Sequence, residues 1–445
     1  MRLAFVDTLF SWPPNGGADV DLYHVAGELN RLGHTVHLFG LDEANSPERG
    51  LFDASALPFP ASHVPLSTGR QGAEKTAAEF RHEVDAFRPD LVFVCDSFFL
   101  KPYLLQALAD YPLMSRFYAH ELVCHRDILR FKEGAPCPNH YLATPEACRR
   151  CALEHLGPEI KCGNHSAWLR EYLHARAYSP QYYPLLHEAL AQVRVAITYN
   201  AHMAEALAPW CQSTAVIPGG VNLLDFPFSR CPVRAPKEKK VILISGRAED
   251  PAKGLSVLLN AGERLAELRS DFIVQATLPE DNEGPDWFQP VGWRSHQEMR
   301  ALYAQADICV APSIWEEPFG LVALEAMATG RPVCVSRVGG LQHIVKHTET
   351  GFVFASEDDA ELAKQLSILL DNWEMRQRMG AAGRLAVETR YTWENIVQDH
   401  YLPLLAQFQS GSAVQQAQGV RANTPDMESP MQQRHVLQAR LREYP

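Results

Sequence analysis

The stretch Asp307–Pro332, DICVAPSIWEEPFGLVALEAMATGRP, constrains the fold of this chain more than any other. Its first part, Asp307 to Pro312, is a short apolar run of the kind that forms a buried strand. A polar loop with a Pro-Phe-Gly turn follows. Leu321 to Thr329 is then a run of good helix formers, closed by Gly330 and Pro332. Strand, tight loop and helix start are the arrangement in which unpaired backbone N–H groups and a helix N-terminus face an anion. Glu317 lies in the loop and Glu325 about one turn into the helix, so both carboxylates can point to the same side. There they would accept hydrogen bonds from ligand hydroxyls, while the N–H groups of Phe319, Gly320 and Leu321 hold phosphate or hydroxyl oxygens. Acidic residues are also simply welcome near a helix N-terminus, and the spacing alone does not choose between these readings.

A chain of 445 residues exceeds one hydrophobic core, so two domains are expected. Net charge is −12 and the isoelectric point about 5.8, which argues against non-specific nucleic-acid binding. The N-terminal run MRLAFVDTLFSWPP carries Asp7 and two prolines, unlike a secretion signal. No apolar run approaches the roughly 18 residues of a membrane span. A cytoplasmic protein is expected, with its ten cysteines free, metal-bound or buried.

Read in order, the chain alternates strands and helices twice. Arg2–Val6 reads as a first buried strand, followed by Pro13-Pro-Asn-Gly-Gly-Ala18, a helix over 20–32 and a second strand over 35–39. Gly16 and Gly17 at this first crossover would let backbone approach a ligand closely, although an ordinary turn reads the same way. The G-x-G-x-x-G of nicotinamide-binding folds is absent. Residues 41–69 read as loop. Strands are expected at 91–95 and 113–118, the second running into Ala119-His120-Glu121. A histidine at such a strand end sits where doubly wound sheets bind ligands, yet a buried structural histidine is an equal reading.

Residues 124–165 read as a Cys-rich insertion. Cys137, Cys148, Cys151 and Cys162 are spaced C-x10-C-x2-C-x10-C, a set that would suit a structural zinc ion. Cys124, His125, His140, His155 and His165 are candidate replacements, and free thiols or a redox pair are the alternatives. A metal staple would explain how a segment poor in core-forming residues folds.

The alternation restarts after a Pro-rich linker over 226–239. A strand over 241–245 ends in Gly246-Arg247, and Lys253-Gly254 precedes a helix over 255–268. Further strands are expected at 272–276, ending at 291–293, and at 332–336 and 351–354. Arg247 and Lys253 would neutralise a diphosphate there, unless they are ordinary solvated cations. A helix is expected over 394–407.

In this order the pieces resemble the GT4-type family of retaining glycosyltransferases with the GT-B fold. The resemblance is carried by Asn15-Gly-Gly-Ala-Asp19, Gly33-His-Thr-Val36, Val216-Ile-Pro-Gly-Gly-Val-Asn222, Gly246-Arg247 with Lys253-Gly254, and Glu317-Pro-Phe-Gly320 with Glu325-Ala-Met327. It covers about residues 1–407. The fold it implies is α/β: two Rossmann-like domains facing a central cleft, an acceptor-side domain over 1–220 and a nucleotide-sugar-binding domain over 221–390. A helix over 391–409 would cross back to the first domain, and 410–445 would be a flexible polar tail. The resemblance implies that Glu325 binds the donor ribose and that Glu317, with the Phe319–Leu321 backbone, holds the donor sugar. Arg247 and Lys253 would stabilise the leaving diphosphate in place of a catalytic metal. Gly16 and Gly17 would line the site, and His120 would stand beside donor and acceptor.

The activity implied is metal-independent transfer of a sugar from a UDP-, GDP- or ADP-linked donor to a saccharide or glycoconjugate, with α-linkage. A basic amphipathic face would still permit transient membrane contact. Two other classes fit the same pieces. A nucleotide-sugar epimerase or hydrolase would turn over donor without acceptor. A non-catalytic nucleotide-sugar-binding scaffold would bind without turnover.

Overall fold

The computed structural model describes residues 1–42, 50–69, 71–163 and 165–409. They form two compact units, one from Met1–Lys132, Pro136–Pro218 and the described residues from Ile396 to Gln409, the other mainly from Gly219–Asn395. The polar stretch 410–445, expected as a tail, lies outside the described residues.

The first unit is built on β1 (Arg2–Asp7), β2 (Thr35–Asp42), β3 (Ala61–Pro65), β4 (Leu91–Val94), β5 (Leu113–Arg116), β8 (Val195–Thr198) and β9 (Thr214–Val216). They pair in parallel in the order β3-β2-β1-β4-β5-β8-β9. Two short strands, β6 (Phe131–Lys132) and β7 (Ala135–Pro136), form a separate pair. Strands β4, β5 and β8 are buried along their whole length, as a sheet covered on both faces requires. Sequence periodicity misses β3 because it is an edge strand with a single buried residue, Val64.

The segment 124–165 departs from the expectation of a core-poor insertion. Pro145–Cys162 is one continuous helix. Cys148, Ala152 and Leu156 recur every fourth residue along it and are buried in the same core as Tyr141, Leu142 and Leu169. That apolar stripe anchors the helix in the core.

The second unit carries β10 (Lys240–Ile244), β11 (Phe272–Ala276), β12 (Phe288–Pro290), β13 (Ile308–Ala311), β14 (Val333–Ser336) and β15 (Gly351–Phe354). All pair in parallel, in the order β12-β11-β10-β13-β14-β15. Strand β12 ends before Val291, so 291–293 is the chain leaving the sheet edge. The expected helix over 394–407 is present as one helical run, Trp393–Ile396, a wider π turn over Val397–Tyr401, and Leu402–Gln409. Pro403, with no N–H to give to residue 399, interrupts the ladder there.

Candidate functional site

In each sheet the strand order reverses beside the first strand, and open parallel sheets bind ligands at that reversal, beyond the strand C-termini. In the second unit the reversal lies between β10 and β13. Strand β10 leads into Ser245-Gly246-Arg247, and β13 leads into the loop 312–320. These are the segments that carry Arg247, Lys253, Glu317 and the start of the helix Leu321–Ala328.

Tight backbone contacts fix this crevice. Gly254 has φ +75°, and a Cβ there would lie 2.0 Å from the Pro312 carbonyl oxygen, so the loop after β10 rests on the loop after β13. Gly339 has φ +45°, and its Cβ would lie 2.0 Å from the Glu317 carbonyl oxygen. Gly340 donates its N–H to that same oxygen at 2.7 Å. The Glu317 loop is thus held on two sides by backbone. Gly320, at φ +111°, then turns the chain into the helix.

Three donors meet one oxygen of Glu317. Its Oε2 accepts from Lys253 Nζ at 2.7 Å, the Trp315 indole N–H at 2.9 Å and the Ser313 hydroxyl at 3.2 Å. Lys253 also stands 4.9 Å from the centre of the Trp315 ring. No partner for Oε1 is found among the described residues. Arg247 is exposed and has no carboxylate partner among the described residues.

Glu325 takes part in a different network. Its Oε2 accepts from the Tyr303 hydroxyl at 2.8 Å, and the Ser245 hydroxyl lies 2.9 Å from the same Tyr303 oxygen. Burial pushes the Glu325 carboxyl up to about 7, and the Tyr303 hydrogen bond works against that rise. Tyr303 is itself held by Arg331, a fully buried guanidinium whose Nε donates to the Tyr303 carbonyl at 2.7 Å. Phe319 is buried, and Gly320 and Leu321 complete the turn into the helix. Lys253 and Glu317 are therefore brought into contact, and Glu325 lies on the helix that follows. Ser245, Tyr303, Ser313 and Trp315 are members of the site that spacing does not reveal. Trp315, two residues before Glu317, is the one signal that could have been followed.

The remaining expected site residues, Gly16, Gly17 and His120, belong to the first unit. Gly16 has extended backbone at φ −162° and a Cβ there would meet nothing within 4 Å. Neither conformation nor packing demands glycine, so the space over this residue stays open. The loop is shaped by Asp19, whose carboxylate accepts from the N–H groups of Ser11, Asn15 and Gly16 at 3.0, 2.8 and 3.1 Å. Burial raises Asp19 to about 6 against those hydrogen bonds. His120 is buried in the turn after β5, its carbonyl accepting from Val123 and Cys124. Its neighbour Glu121 forms a fully buried ion pair with Lys101 at 3.1 Å and caps the Ala119 N–H at 3.0 Å.

The expected zinc set does not assemble. Cys148, Cys151 and Cys162 share one helix, and 11 residues at about 1.5 Å each put Cys162 about 16 Å along the axis from Cys151. Zinc–sulfur bonds of about 2.3 Å cannot span that. Among the described residues, no group of three or more His, Cys, Asp or Glu side chains stands ready to hold a metal ion.

Two parallel sheets of this order, with charged and glycine-rich loops at the reversal of the second, define a protein of the GT-B fold. The structure of sucrose-phosphate synthase from Thermosynechococcus elongatus superposes with a TM-score of 0.63, at 20% identity, over 93% of this chain and 100% of that one. Anabaena HepE in complex with UDP-glucose superposes at 0.60, with 16% identity, over 91% and 100%. Residues 281–386 match the family model of the glycosyl transferases group 1. Glycogen synthase of Mycobacterium tuberculosis is 30% identical over 250 residues, 53% of this chain and 58% of its own length. Phosphatidyl-myo-inositol mannosyltransferase of Mycobacterium leprae is 32% identical over 209 residues, 45% and 56% of the two lengths. The chain thus spans little more than half the length of these curated relatives. The likeness to solved structures extends over the whole GT-B fold, and the sequence likeness to glycosyl transferases group 1 is carried by residues 281–386.

Proposed function

We propose that the protein is a cytoplasmic retaining glycosyltransferase. It moves a sugar from a nucleotide-sugar to a saccharide or glycoconjugate acceptor with α-linkage and without a catalytic metal. The observation that carries this reading is the Lys253–Glu317 pair at 2.7 Å, set at the strand-order reversal in front of a helix N-terminus.

Cleaving a sugar–phosphate bond builds negative charge on the diphosphate. In this reading Lys253, Arg247 and the first amides of the helix Leu321–Ala328 receive that charge, the part a metal ion plays elsewhere. A diphosphate that draws Lys253 away leaves Glu317 to accept hydrogen bonds from donor-sugar hydroxyls. Trp315 and Ser313 keep the carboxylate aimed while that exchange takes place. Glu325, steadied by Tyr303, accepts from the ribose. Gly16, Gly17 and His120, in the first unit, are the candidates for contact with the acceptor.

Transfer then follows a front-face course. The sugar carbon leaves the diphosphate oxygen, the acceptor oxygen bonds to the same face, and the acceptor proton passes to the departing phosphate. Asp96 is a poor candidate for a covalent nucleophile, because burial and the neighbouring Glu121 and Asp7 carboxylates hold its carboxyl well above the usual range. HepE was crystallised with UDP-glucose, so UDP-sugars are the first donors to offer.

The test is turnover of UDP-, GDP- and ADP-sugars with an acceptor panel in the presence of EDTA, with the product anomer read by NMR. An α-linked product formed with chelator present supports the reading. Inversion, dependence on added divalent metal, or a sugar trapped on Glu317 or Asp96 overturns the corresponding part. Donor consumed equally with and without acceptor favours an epimerase or hydrolase.

A further inference from the structure

Beyond the transfer site, the first unit contains a cavity of about 200 Å³ between the turn after His120, the β6–β7 pair and the start of the helix Pro145–Cys162. Four of its lining residues are cysteines: Cys124, Cys137, Cys148 and Cys151. In sequence they read C-x12-C-x10-C-x2-C, whereas Cys162 is exposed at the far end of the helix and does not line the cavity.

Each thiol comes from backbone that is already fixed. Cys124 donates its N–H to the His120 carbonyl at 2.9 Å, and Cys137 donates to the Arg130 carbonyl at 2.8 Å. Cys148 and Cys151 are three apart on one helix and therefore share a face. Burial holds the thiols of Cys124 and Cys148 protonated in the cavity, so an ion must displace their protons, and the cations around them offset the charge that results. Arg126, Arg130, Lys132 and Arg150 line the same cavity against the single carboxylate of Glu154. His125 lines it as well. It is fully buried, and among the described residues neither ring nitrogen is hydrogen-bonded.

We propose that Cys124, Cys137, Cys148 and Cys151 bind a structural zinc ion. Binding breaks four S–H bonds, forms four S–Zn bonds and releases four protons to solvent. The product carries two negative charges, which the surrounding cations balance. No group of three such side chains is already closed around a point, so the thiols must rotate inward on binding. The ion would then tie the turn after His120 and the segment after β7 to the helix, coupling metal affinity to local folding. With four thiolates no coordination position stays open, and the site takes no part in chemistry.

The test uses the full chain purified without chelator. Elemental analysis is expected to find one zinc per chain. Competition with a chromophoric chelator is expected to show at least a tenfold loss of zinc affinity in C124S and C137S, and none in C162S. In case a serine variant fails to fold, the wild-type protein gives a second readout. Chelation should expose four additional thiols to a disulfide reagent, and cobalt substitution should give thiolate-to-metal charge-transfer absorption. Absence of zinc and of the cobalt bands, with the same thiol count before and after chelator, overturns the proposal. So does loss of zinc in C162S equal to that in C124S. Donor binding by the second unit is a separate measurement, so neither result bears on the proposed transferase activity.

Discussion

Lys253 and Glu317 lie 64 positions apart in the chain, and their side chains meet at 2.7 Å because Gly254 and Gly339 let three loops touch. Replacing Lys253 by Met should weaken nucleotide-sugar binding by roughly 10- to 150-fold, the range for loss of a hydrogen bond to a charged group at about 1.5–3 kcal/mol. The melting temperature should change little, because the pair is partly solvated. Calorimetric titration beside a thermal melt checks both. Unaltered donor affinity would remove Lys253 from the site.

Glu325 gives a pH prediction. Its carboxyl is raised from 4.5 to about 7 by burial, so the folded protein binds a proton more tightly than the unfolded chain. This group's contribution to stability is therefore greatest below about pH 4.5 and is lost as pH rises toward 7. Donor binding should run the other way, strengthening between pH 6 and about 8, because only the carboxylate accepts from two ribose hydroxyls. In Y303F the hydrogen bond that opposes the rise is gone, and the binding profile should move to higher pH. A pH series of donor titrations on both proteins reads the shift, and coincident profiles would count against the role given to Tyr303.

Gly254 carries a backbone prediction. G254A must strain a φ of +75° and push against the Pro312 carbonyl, so it should destabilise the second unit by more than about 1 kcal/mol. It should also weaken donor binding by moving Lys253 from Glu317. A denaturant titration and a donor titration on the same variant test this. G16A is the contrast, since its Cβ meets no protein atom and stability should be unchanged.

The buried Lys101–Glu121 pair next to His120 should behave as a unit. K101M leaves the Glu121 carboxylate buried and uncompensated, at a cost of about 3–5 kcal/mol. The double change K101M/E121L should recover much of that loss. Chemical denaturation of the two variants measures the difference, and equal losses would show that Glu121 is held by its other contact, the Ala119 N–H.

Much of the fold is legible along the chain. Strands such as β1, β4, β10 and β13 are continuous apolar runs closed by glycine, proline or charge, and burial on both faces leaves that mark on sequence. The edge strand β3 leaves none, since one buried valine is all its position demands. Glu317 and Lys253 stand out in sequence only through the family resemblance, since loop charges by themselves read equally as solvated surface. The hydrogen bonds that aim them come from Trp315, Ser313, Tyr303 and Ser245, ordinary residue types whose purpose depends on what lies opposite. The cysteines make the same point. Regular spacing suggested Cys162, but a straight helix carries it about 16 Å away. Cys124, separated from Cys137 by 12 residues, reaches the same cavity. Sequence by itself determined the buried strands and the loops that carry charge, because burial and backbone conformation restrict residue type locally. Only the tertiary structure decided which distant side chains meet, because contact depends on the packing of elements that are remote in the chain.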